Sequence, residues 1–138
     1  MTRGGSVPGA LAFTVGLLLL GAVAKDKVDR VAQGTWGGQG IGLEVTETGA
    51  RVEYDCARGT VDQAMTLDAD GRFDSRGTYA SEGPGPIREG ESKGRPAQYS
   101  GQLQGETMTL TVKLVGADEV IGTFTLVHGK FPRIRKCS

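Results

Sequence analysis

Gly34-Thr35-Trp36-Gly37-Gly38 holds the only tryptophan of the chain, and everything after it is short, alternating and punctuated by turns. A large indole at the head of a run of short strands is what a small barrel needs to plug one end, because Trp buries far more area than the aliphatic side chains around it. Losing it should open that end.

Beyond this stretch the period is two. Ile41, Leu43 and Val45 alternate with Gly42, Glu44 and Thr46, Thr48-Gly49 turns, and Val52, Tyr54 and Cys56 carry the inward set onward as a hairpin partner. A less regular strand is expected over residues 60–67, with Val61, Met65 and Leu67 on one face. Asp68-Ala69-Asp70-Gly71 closes it, and residues 72–79 return with Phe73. The second half is clearer: residues 98–104, then Met108, Leu110, Val112 and Leu114 alternating with Thr107, Thr109, Thr111 and Lys113, then residues 120–128 with Phe124 and Leu126. Phe131-Pro132 precedes a last short strand expected over residues 133–137. About eight strands joined by hairpin-length turns predict an all-β fold, an antiparallel up-and-down barrel that closes on itself and so removes its edges.

Three segments fall outside this pattern. Arg3, the apolar run from Leu11 to Leu20 and the small-x-small Ala22-Val23-Ala24 read as a signal-peptide helix over residues 1–24, cleaved before Lys25; the run is short for a spanning helix. No cysteine follows it, so no lipid-attachment box is present and no stable membrane anchor is expected after cleavage. Residues 25–33 read as a flexible leader, and the barrel domain as 34–138. Within it, residues 81–96 hold Gly83-Pro84-Gly85-Pro86 and a charged run with Ile87 as the only large apolar residue. The segment buries too little to order itself and reads as a mobile loop.

The 138 residues carry a formal charge of zero, which argues against a nucleic-acid partner, and the 23 glycines favour many tight turns over long helices. Cys56 and Cys137 both lie in the exported part, and in an oxidising compartment two cysteines pair. Such a bond closes a loop worth roughly 4 to 5 kcal/mol. No CxxC spacing suggests a redox pair. His128, the only histidine, sits at a strand end with no nucleophile motif, and Asp68-Ala69-Asp70-Gly71 resembles the front of a calcium loop without its closing Glu; a hairpin turn explains the same residues. No catalytic, metal or cofactor residues are assigned. Lys130, Arg133, Arg135 and Lys136 crowd the last nine residues with no acid among them, which suits either an anionic partner, such as a lipid head group or acidic protein face, or a structural role.

Gly34, Thr35 and Trp36 at the opening strand of an eight-stranded meander resemble the lipocalin and avidin group of barrels, the calycins. That resemblance implies Trp36 at the closed end with a basic side chain across it, supplied here by Arg133 or Arg135 through a cation–π contact. The chain is also similar to small periplasmic barrels that inhibit secreted metalloproteases with a projecting N-terminal segment, although that family pairs two cysteines in the early half of the barrel. The expectation is an exported protein, periplasmic or extracellular. It would be a monomeric binding or interaction module rather than an enzyme, its partner an unknown protein or a small apolar ligand. The alternatives are a protease inhibitor acting through residues 25–33 and a small apolar ligand carrier.

Overall fold

A computed structural model describes residues 29–82 and 94–137. The expected signal peptide, residues 25–28 of the leader and residues 83–93 of the expected loop lie outside the described residues.

The described chain is all strand and turn. In order, the elements are β1 (Asp29–Arg30), β2 (Gly34–Gly38), β3 (Ile41–Val45), β4 (Ala50–Tyr54), β5 (Ala57–Val61), β6 (Thr66–Leu67), β7 (Arg72–Ser81), β8 (Arg95–Gln104), β9 (Thr107–Leu114) and β10 (Glu119–His128). Eight of them form a closed antiparallel barrel in the order β10-β2-β3-β4-β5-β7-β8-β9, while β1 and β6 pair as a separate two-stranded flap. The alternation explains the closure: β4 reads buried-exposed along its length, Ala50, Val52 and Tyr54 inward and Arg51 and Glu53 outward, and β9 repeats this with Met108, Leu110, Val112 and Leu114. Turn chemistry sets the joints. Asp68 Oδ1 accepts from the backbone N–H groups of Asp70 and Arg72 at 2.8 and 2.9 Å, which bends the chain into β7.

The interior is packed with side chains. Trp36, Tyr99, Ile41, Leu43, Met108, Leu110 and Leu126 are all at most 1% exposed. The turns at 39–40, 55–56 and 115–118 lie at one end, as do the ends of β7 and β8 around Ser81 and Arg95; the other end carries the turns at 46–49 and 105–106 and the flap.

Three expectations change. Residues 60–67 are not one strand: β5 begins at Ala57, and the chain leaves the barrel after Val61 and re-pairs at β6 with β1. Residues 29–33, expected within a leader, are held: Val31 is 2% exposed, and its N–H donates to the Met65 carbonyl at 2.9 Å. Residues 133–137 are not a strand but make one parallel bridge, Gln39 to Arg133, because β10 already closes the barrel against β2.

Candidate functional site

The closed end is built on Trp36. Its Nε1–H donates to the Ala32 carbonyl at 2.9 Å, and the indole joins Val31 and Met65 in the core. Register places His128 opposite Trp36 on the neighbouring strand, and the two rings meet with centroids 4.8 Å apart. His128 Nε2 lies 3.0 Å from the Gln33 carbonyl, an acceptor only, so this nitrogen carries the proton; Nδ1 lies 3.4 Å from a Glu106 carboxylate oxygen. The Nε2 bond ties the chain's entry to the last strand, while Nδ1 faces the turn between β8 and β9. The structure puts this imidazole, rather than Arg133 or Arg135, against the indole. The two arginines lie on the segment that follows β10.

That segment is a strap across the outer wall. Gly129 (φ 83°) reverses the chain, and its N–H donates to the Thr35 carbonyl at 2.7 Å. The strap then runs over the outward faces of Gly37 and Gly42. A Cβ on Gly37 would meet the strap backbone, 2.6 Å from Pro132 N and 2.7 Å from Phe131 C; one on Gly42 would lie 2.7 Å from Pro132 Cβ. Only residues without a side chain let two backbones approach this closely. Arg133 N–H donates to the Gly38 carbonyl at 3.0 Å, Gly40 N–H donates to the Arg133 carbonyl at 2.8 Å, and Arg135 N–H donates to Asp55 Oδ1 at 2.9 Å.

The strap ends in a double lock. Cys137 comes to disulfide distance of Cys56, with Cα atoms 5.1 Å apart. Beside it, Lys136 Nζ donates to the carbonyls of Tyr54 and Ala57, each at 3.2 Å, and contacts Glu82 at 2.7 Å and Glu53 at 2.8 Å. Partial desolvation works against the Lys136 charge, but the hydrogen bonds to Glu53 and Glu82 outweigh it and hold the ammonium above its ordinary value. The bond to Lys136 likewise lowers the Glu82 carboxyl.

Along the strap exposure alternates. Pro132 and Ile134 are half-buried against the barrel, while Phe131, Arg133 and Arg135 face away. Phe131 is 88% exposed. Pro132 and Ile134 form one wall of a groove of about 360 Å³ whose other borders include Glu44, Arg51, Glu53 and Arg58. A second, polar groove of about 760 Å³ lies on the outer wall of β7, β8 and β9 among Arg72, Asp74, Ser100, Gln102 and Thr109, with β6 as its rim.

Inside, two buried tyrosine hydroxyls bond in a chain. Tyr99 Oη donates to the Thr78 carbonyl at 2.6 Å, so the Tyr54 hydroxyl donates to Tyr99 at 2.8 Å. Burial pushes the Tyr99 phenol up to about 12 and raises that of Tyr54 as well. Tyr79 packs edge-on to Tyr54 at 5.1 Å, and Phe124 lies 6.0 Å from it, which fills the end opposite the flap.

No protein-family model matches the chain, and neither does any curated protein or solved structure.

Sequence reasoning reached Trp36 and the two cysteines but missed the strap, the Lys136 lock and the bare Phe131. A signal was present. Pro132 and Ile134 alternate with Phe131, Arg133 and Arg135, and Gly37 and Gly42 are both outward positions on neighbouring strands, which marks where a second layer of chain can lie. Asp68, the head of the calcium-like turn, uses Oδ1 on its own backbone. The hydrogen bond from Arg72 N–H, then that from Asp70, lowers its carboxyl.

Proposed function

We propose that the protein is an exported, disulfide-closed barrel of calycin-like build that works as a binding module through its outer wall, without catalytic machinery. The observation that carries this reading is the contrast between the two faces of the sheet. The interior positions are filled by side chains at most a few per cent exposed, whereas the strap holds an almost bare phenylalanine outward. A filled interior leaves no seat for an apolar ligand. The Cys56–Cys137 pair fits an oxidising compartment outside the cytoplasm.

Sedimentation with washed envelope fractions tests the reading. The native chain should be retained, and Phe131→Ser combined with Arg133→Ser and Arg135→Ser should release it while leaving the melting temperature unchanged. Saturable one-to-one uptake of a long-chain fluorescent fatty acid, unaffected by those changes, would instead mark a ligand carrier.

One observation favours a second reading. The flap and buried Val31 fix the root of the leader at the closed end, as a projecting inhibitory segment would need. In that case the chain slows a secreted metalloprotease at near-stoichiometric ratio and loses this on trimming to Asp29.

A further inference from the structure

We infer that the solvent face of the strap is a docking surface for an anionic phospholipid bilayer, with Phe131 entering the interface and Lys130, Arg133 and Arg135 meeting the lipid phosphates. The inference rests on the reading of the outer wall as the working surface and names its partner.

The first observation is that Phe131 is exposed by construction. The backbone is pinned on both sides of it, by Lys130 N–H to the Val127 carbonyl at 3.2 Å and by the paired bonds of Arg133 with Gly38 and Gly40. On this pinned backbone the ring stands 88% exposed.

The second is the two-residue period. With Pro132 and Ile134 facing the barrel, Phe131, Arg133 and Arg135 form one row facing away, about 13 Å long at strand rise. Lys130 stands exposed at the head of the row.

The third is charge. Among the described residues, Lys130, Arg133 and Arg135 have no side-chain hydrogen bond or ion pair, while the adjoining Lys136 is fully engaged. Two of the three acids at the far end face a cation, and the third keeps its charge. Asp55 accepts from the Arg135 backbone, and Glu53 and Glu82 face Lys136. The row therefore carries three cations against one carboxylate, Asp55, whose bond from a backbone amide leaves its charge in place, and it is tipped with an apolar ring.

A single ring beside three cations on a narrow strip is too small for a stable protein interface, which takes about 800 Å² from each partner. A bilayer surface needs no complementary pocket. It accepts one ring at the depth of the head groups and draws cations to its phosphates.

The test is sedimentation of the processed chain with large vesicles of phosphatidylcholine alone or mixed with phosphatidylglycerol. Binding is expected only to the mixed vesicles, weakening steeply with salt. Arg133→Ser and Arg135→Ser should each weaken it about fivefold, and Phe131→Ser on the order of tenfold or more, with near-ultraviolet dichroism unchanged. Equal binding to both vesicle types, or binding indifferent to the two arginines, overturns the inference. If the chain ignores vesicles but is still held by envelope fractions through the same residues, the partner is a protein and only this inference falls. If neither binds, the reading of the outer wall falls as well.

Discussion

Breaking the Cys56–Cys137 bond by Cys137→Ser tests how far the strap belongs to the cooperative unit. The bond spans a sequence separation of 81. Chain-entropy arithmetic for a loop of that size gives roughly 4.5 kcal/mol of destabilisation, arising in the unfolded state and not in any native contact. That is a large share of the about 5 to 15 kcal/mol a small domain possesses, and for a chain of this size it corresponds to a fall in melting temperature of about 20 °C. The native barrel should survive at room temperature, because β10 pairs with β2 without help from the strap. The assay is urea unfolding followed by Trp36 fluorescence, with and without a dithiol reductant. The reduced form should show a lower midpoint and a steeper slope, since an unlinked unfolded chain exposes more surface. Cys56→Ser and the double variant should match the single change. An unchanged midpoint on reduction would refute the reasoning, because it would mean that the strap undocks freely and closes no loop in the folded protein.

Other consequences follow from the same geometry. Gly42→Ala sets a methyl against Pro132 and should lift the strap, costing about 1 to 3 kcal/mol and exposing Arg133 and Arg135 to trypsin. Trp36→Ala removes the floor of the closed end and should cost about 3 to 5 kcal/mol by urea denaturation. The Tyr99 phenol sits above its ordinary value, so its contribution to stability is complete below about pH 10 and is lost as pH climbs toward about 12. Tyrosinate absorbance should report ionisation and unfolding together in that window, and Tyr99→Phe should blunt the alkaline loss while costing about 1 to 3 kcal/mol at neutral pH.

The barrel was legible because a sheet with one face inward writes its period directly into the chain: β3, β4 and β9 lie where Ile41, Val52 and Leu110 alternate with polar neighbours. What escaped were features that parity does not encode. Val61, Met65 and Leu67 share odd numbering, so a break between β5 and β6 leaves the alternation intact although the last two belong outside the barrel wall. The strap also alternates like a strand. It fails as one because Pro132 has no N–H to give and β2 and β3 are already paired on both sides, so beyond Lys130 only Arg133, among the described residues, finds backbone partners. The neighbour of Trp36 depended on the closing register, which sets His128 across from it and which no local pattern announces.

The join between β10 and β2 is where this cylinder is thinnest. It rests on three facing residue pairs, against eight between β8 and β9. Spontaneous opening of such a ring begins where the fewest bonds must break. The tail crosses just beside that gap, fastened at Gly38 and Gly40 and riveted to Cys56 on the far side. It acts as a hasp over a door, so amide protons at Gly38 and Val127 should exchange with solvent faster once the rivet is cut, while those deep in β8 and β9 keep their pace.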